Sequence, residues 1–278
     1  MTAHLASQQI PCSLFAPIKS VIAHRRLIAR LGWREIQSRY KGSLLGIAWS
    51  VLVPIILLAV YTFVFSVVFS SRWGTENSSK THFAIVVFAG LIVFNIFADC
   101  IVRAPSLILH NVSYVKKVVF PLEILPWVSL CSALFNALVS LVVLTLFFTA
   151  VEGVPPLSFL LAPLVILPLA LLIVGLSLFL ASLGVFIRDL QQFIGVIITV
   201  VMFLSPLFYP LSALPSKFRS LVELSPVTMA VEGMRTILFE GTLPNLELWV
   251  ASLAFGLVSL WLGFLWFAKT RKGFADVV

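Results

Sequence analysis

The sequence predicts an all-α integral membrane protein: six transmembrane helices, an N-terminal amphipathic interface helix, and short re-entrant outside helices before the last span. Three observations predict this. Hydrophobic residues make up 60% of the 278-residue chain and charged residues only 11%, whereas charged residues are about a quarter of an ordinary soluble chain. Six apolar segments reach the roughly 20 residues that a helix needs to cross a hydrocarbon core of about 30 Å. The basic residues are also distributed unevenly around those segments, as cytoplasmic loops require.

The chain opens with a cytoplasmic tail and interface helix, residues 1–43. Polar residues and Pro11 interrupt the first fifteen positions, so no signal-peptide core forms there. On a helical wheel, residues 18–41 place Ile18, Val21, Ile22, Ile28, Trp33, Ile36 and Tyr40 on one face. Lys19, Arg26, Arg30, Arg34, Gln37 and Lys41 fall on an adjoining face, while Arg25, Leu27, Leu31 and Arg39 break the pattern. Such a helix lies in the membrane interface with its cations toward phosphate groups. A plain basic anchor that only fixes topology is the alternative reading.

The six-span domain follows over 44–278, with spans at 44–70, 83–101, 125–150, 157–187, 193–211 and 248–268. The first and fourth exceed a perpendicular crossing and imply tilt, and Pro163 and Pro168 are expected to bend the fourth. With both termini inside, fourteen of the nineteen Lys and Arg residues fall on the cytoplasmic side, including Arg103, Lys116 and Lys117 in the loop 103–123. The outside segment 212–247 is too long for a turn and too apolar for a disordered loop. Ser225-Pro226 reads as an N-cap followed by proline at the first helical position, and Gly241 as the stop. Val227, Ala230, Val231, Met234, Ile237 and Leu238 recur there at helical spacing. Two short helices that dip into the membrane or lie on its outer surface are expected, against an ordinary extracellular cap.

The excess of basic residues, +8 overall, is explained by topology before nucleic-acid binding. Three scattered cysteines and four distant histidines offer no disulfide framework and no metal spacing. No G-x-x-x-x-G-K-S/T phosphate loop occurs, and no Ser/His/Asp grouping, so an intramembrane glycosyltransferase or protease has little to work with. Asp99 with Arg103 one turn later reads as an interfacial ion pair, and Asn95 and Asn136 as hydrogen-bonding groups between helices. Tyr61, Phe65 and Phe69 recur every four residues on the first span, and the fifth ends in MFLSPLFYP with Phe203, Phe208 and Tyr209. These rings either face lipid and neighbouring helices or line a conduit in which sugars stack.

Several motifs in order along the chain resemble those of type-2 ABC exporter permeases, in the branch that exports O-antigen, capsule and teichoic-acid polysaccharides. R-E-x-x-x-R-Y-K-x-S-x-L-G-x-x-W (34–49) is similar to the family's approach to the first span. NVSYVKKVVFPLEILP (111–126) resembles N-x-x-L-V-K-K-V-x-F-P-x-E-I-L-P, with Tyr114 in place of leucine. FIRDLQQ (186–192), SPLFY and LSPVTMAVEGMR (224–235) also match, with Ser225 where asparagine is more common. The resemblance implies a homodimer working with two copies of a separate ATPase that holds the ATP and Mg, this chain binding no cofactor. It implies residence in the bacterial inner membrane, with the first and fifth spans building a channel. Asn111, Tyr114, Lys116, Lys117, Phe120 and Pro121 become candidates for ATPase coupling. Arg26, Arg30, Arg34, Arg39 and Lys41 become candidates for contact with the pyrophosphate of a polyprenyl-linked glycan. Tyr61, Phe65, Phe69, Phe203, Phe208 and Tyr209 become channel candidates, and Pro226 and Arg235 candidates for an outside re-entrant gate. A related exporter of small drugs or lipids is the rival reading.

Overall fold

The computed structural model describes residues 16–64, 80–116 and 120–277, and among these there is no β-strand. The interface helix α1 spans Ala16–Tyr40. The chain then turns through Gly42 and Gly46, whose φ angles of 88° and 51° fall in the region that favours glycine. A 3₁₀ turn at Gly46–Ala48 leads into α2, Trp49–Phe63. The basic helix and the first span are therefore separate elements, and the apolar stretch begins at Gly46 against the expected 44; its expected end, 65–70, lies outside the described residues. Next come α3 (Lys80–Arg103), the short α4 (Val112–Val115), α5 (Leu125–Val151), α6 (Ala162–Phe186) and α7 (Leu190–Leu204). The order closes with α8 (Ser216–Glu223), α9 (Pro226–Arg235), α10 (Leu246–Thr270) and the terminal turn α11 (Phe274–Val277).

Among the described residues five helical stretches are long and apolar enough to cross a membrane; α7 is apolar but shorter. Its 15 residues rise about 22 Å, less than the roughly 30 Å of a hydrocarbon core. Of the expected fifth span 193–211, residues 193–204 are helical within α7. Ser205 adopts an extended backbone, ψ 144°, because the following Pro206 disfavours the helical conformation before it, and 205–210 continue without helix.

Helix α3 is the axis of the bundle. Ala84, Ile85, Val87, Ala89 and Val93 have no exposed surface, since α2, α5, α6, α7 and α9 all pack around it. Helices associating in lipid gain little from the hydrophobic effect and depend on close packing of small residues. The long α6–α10 contact shows this: a Cβ on Gly263 would overlap the backbone of Gly175, and one on Gly256 would lie 2.6 Å from the carbonyl oxygen of Pro168. Pro163 opens α6 at its first turn and Pro168 sits inside it.

Helix α1 lies along the start of α5. Ile28, Gly32 and Ile36 are buried, and Leu27, Leu31 and Cys131 pack with Ile28, Ile124 and Val128. The expected apolar face is thus divided: Ile28 and Ile36 meet protein, while Ile18, Ile22 and Trp33 stay exposed. Within residues 212–247, α9 and the π-helical turn after it pack into the body. Val227, Ala230, Val231, Met234, Ile237 and Leu238 are all buried against α3 and α6. Pro226 is the first residue of α9 and Gly241, φ 68°, ends the turn. Helix α8 instead exposes Phe218, Leu221 and Leu224 at and beside its end.

Candidate functional site

Packing one side of α1 on α5 leaves the other side basic. Arg26, Arg30, Arg34 and Lys41 are all exposed. Arg34 connects this face to the loop between α3 and α5 by donating a hydrogen bond to the Tyr114 hydroxyl. Its guanidinium also lies 5.8 Å from the centroid of the Tyr114 ring.

That loop folds as a 3₁₀ turn at Leu109–Asn111 followed by α4. Asn111 donates from its side chain to the Leu107 carbonyl at 2.9 Å, which tightens the turn. Lys116 is exposed beyond α4; Lys117 lies outside the described residues. Tyr114 stacks on Phe120, ring centroids 4.2 Å apart and planes within 7°. The return strand of the loop, with the half-buried Phe120 and Pro121, is fastened from the far end of the chain. Arg271 donates to the Phe120 carbonyl at 2.8 Å and pairs with Glu123 at 3.1 Å, and Ser20 of α1 donates to the same carboxylate at 3.4 Å. Neither Glu123 nor Arg271 was singled out by sequence reasoning. They are 148 residues apart, and no local pattern connects them.

At the C-terminal end of α3 Asp99 accepts from Arg103 one turn on, the pair expected from the sequence, and also from Arg39 at 3.0 Å. Glu35 adds a looser contact to Arg103 at 3.7 Å. Arg39 therefore leaves the cationic face and turns inward, away from Arg26, Arg30 and Arg34. Beside this cluster is a cavity of about 490 Å³ walled by α1, α2, α3 and α5, with Asn95 and Asn136 in its lining. Asn136 accepts from the Tyr40 hydroxyl at 3.2 Å and so joins α5 to the end of α1.

Of the aromatic positions, Tyr61 is half-buried against the core, and Phe65 and Phe69 lie outside the described residues. Phe203 is exposed, with the Phe208 ring 6.2 Å away. The Tyr209 hydroxyl folds back to donate to the carbonyls of Phe203 and Leu204, at 3.2 and 2.8 Å. It thereby serves carbonyls that the helix end leaves without partners. Helices α2 and α7 show the longest exposed apolar faces around these rings, including Ile55, Ile56, Val60, Val196 and Val200.

Arg235 is buried at the base of α9. It donates to the carbonyls of Pro206 at 2.6 Å and Leu207 at 2.9 Å and pairs with Glu232 at 2.6 Å. A planar guanidinium suits this clamp because its donors are fixed in a fork. Burial lowers the pKa of the group, and Glu232 opposes that shift. Pro226 starts the same helix. Among the described residues no three His, Cys, Asp or Glu side chains come together to hold a metal.

The surface thus offers an exposed cationic face on a helix, a small segment before α5 tied to it, and apolar faces on α2 and α7. Residues 26–239 match the model of the ABC-2 type transporter family. Over 263 residues the chain is 29% identical to an O-antigen export system permease protein, RfbA, of Myxococcus xanthus, covering 94% of this chain and 98% of that protein. An O-antigen export system permease protein RfbA of Klebsiella pneumoniae is 25% identical over 247 residues, 88% of this chain and 92% of its own.

Proposed function

The chain belongs to the ABC-2 type transporter family, and from that premise we propose that it is the transmembrane subunit of an ATP-driven exporter of polyprenyl-diphosphate-linked O-antigen. It works as a homodimer with two copies of a separate ATPase in the bacterial inner membrane, both termini cytoplasmic. The observation that carries this reading is the direct link from Arg34 on the cationic face to Tyr114 in the segment before α5. The similarity to O-antigen export permeases along nearly the whole chain supports the choice of substrate.

In this mechanism the pyrophosphate of the lipid-linked glycan meets Arg26, Arg30, Arg34 and Lys41, where several cations at the interface favour a multiply charged anion. The ATPase seats on Asn111, Tyr114, Lys116 and Lys117, and its movement is received by α4. Transmission needs contacts that differ between two states. The Tyr114–Phe120 stack, tied by Arg271 and Glu123 to the end of α10 and by Arg34 to α1, provides a lever to both the first and the last helices. The exposed faces of α2 and α7 from two protomers enclose the conduit, with Tyr61, Phe203 and Phe208 offering surfaces on which sugars stack.

Deleting the gene tests the reading. Lipid-linked glycan is expected to accumulate on the cytoplasmic side and surface O-antigen to disappear, with both reversed by a plasmid copy. Unchanged surface glycan in the deletion strain would overturn it.

A further inference from the structure

We propose that a second cavity, on the outer side between α6, α9 and the start of α10, is a subsite for one pyranose residue of the emerging glycan. This rests on the exporter reading above. The cavity holds about 220 Å³, and its lining is mostly apolar with a few polar groups, the usual composition of a small-molecule site.

Its groups suit a neutral polyol. Thr228 is 1% exposed, and its hydroxyl has no hydrogen-bond partner among the described residues. Buried polar groups are almost always paired, so a ligand hydroxyl is the group this site lacks. Glu232 gives one carboxylate oxygen to Arg235 and keeps the other as an acceptor. Asn245 uses its carbonyl oxygen to cap α10, accepting from Glu247 and Leu248 at 2.9 and 3.4 Å, which leaves its amide N–H groups as donors. Trp249 is held in place by donating to the Leu164 carbonyl at 3.0 Å. A fixed aromatic face beside donors and acceptors recognises the two aspects of a sugar ring, its apolar C–H face and its hydroxyl edge.

Two other ligand chemistries fit less well. Glu232 and Glu223, the carboxylates in the lining, each already pair with an arginine, Arg235 and Arg219, so no unbalanced negative charge calls for a cation. An acyl chain would strip water from carboxylates and a hydroxyl without replacing it. The position also suits an exit: Leu211, in the lining, directly follows the Phe208-Tyr209-Pro210 end of the α7 aromatic stretch.

Photocrosslinking in cells tests the subsite. Leu248, partly exposed in the lining, is replaced by p-azidophenylalanine in a strain whose surface glycan depends on this chain. The same probe at Phe255, two turns further along α10 and outside the cavity lining, serves as the control. Irradiation is expected to give a glycan-positive adduct at Leu248 and none at Phe255, and a hydrolysis-dead ATPase should abolish it. Adding Thr228→Val should lower the yield at least five-fold at unchanged protein level. A phospholipid adduct in place of glycan, or no glycan adduct at Leu248, overturns the subsite while leaving the exporter reading intact. Surface glycan that persists without the chain overturns both.

Discussion

Replacing Tyr114 with phenylalanine asks whether the link between the cationic face and the docking segment is used in transport. The substitution removes one oxygen, the acceptor for Arg34, and keeps the ring that stacks on Phe120 at 4.2 Å. A hydrogen bond to a charged donor contributes about 1.5–3 kcal/mol, but Arg34 is exposed, and solvent screening brings this contact to about 1 kcal/mol. The guanidinium–ring attraction, of about 0.5–1 kcal/mol at an exposed site, survives in the variant. A loss of about 1 kcal/mol is a factor of about five in an equilibrium between coupled states. ATP-dependent export by purified complexes should therefore fall about two- to five-fold, while chain level and ATPase association stay unchanged. If the two residues act through this contact, Tyr114→Phe should cost nothing further on an Arg34→Gln background. Wild-type export by Tyr114→Phe, or losses that simply add in the double variant, would refute the reasoning.

Three further outcomes follow from packing and charge. Asp99→Asn removes the acid shared by Arg39 and Arg103. With side chains 18% and 30% exposed for Arg39 and Asp99, the cost falls below the roughly 3–5 kcal/mol of a fully buried pair, at about 1–2 kcal/mol. Melting of the purified protein should drop, and Arg39→Gln should recover part of the loss; an unchanged melting point would contradict the pair's role. Arg235→Lys exchanges a fork for a point charge that cannot reach both carbonyls and Glu232, and should destabilise the α8–α9 region by about 2–4 kcal/mol, read as faster proteolysis there. Gly263→Ala forces α6 and α10 apart at a cost of about 1–3 kcal/mol or more and should lower membrane yield. Gly195→Ala, with no atom near its added Cβ, should leave the yield unchanged.

Much of the architecture was legible because hydropathy and turn chemistry are local. The N-cap position at Ser225, Pro226 at the first position of α9 and Gly241 at its stop all stand where those signals put them. The shortening of α7 was missed because Ser205-Pro206 lies in a stretch that remains apolar to 211, and apolarity does not report the backbone restriction before proline. On α1, Arg25, Leu27, Leu31 and Arg39 broke the amphipathic pattern; Arg25 stays exposed, while the other three turn toward protein, Arg39 to reach Asp99. For those three, leaving the pattern marked a tertiary contact. The Arg271–Glu123 pair and the outer cavity were not legible, because each joins segments far apart in the chain and one sequence carries no record of such proximity.

The central claim is tested most directly by reconstitution. The chain and its ATPase are placed in liposomes carrying a labelled polyprenyl-diphosphate-linked glycan, with ATP added outside. The account predicts ATP-dependent protection of the glycan from an external glycosidase, lost with a hydrolysis-dead ATPase and reduced by Arg34→Gln with Lys41→Gln. Glycan that stays fully cleavable while the same vesicles move an unglycosylated amphiphile would contradict it.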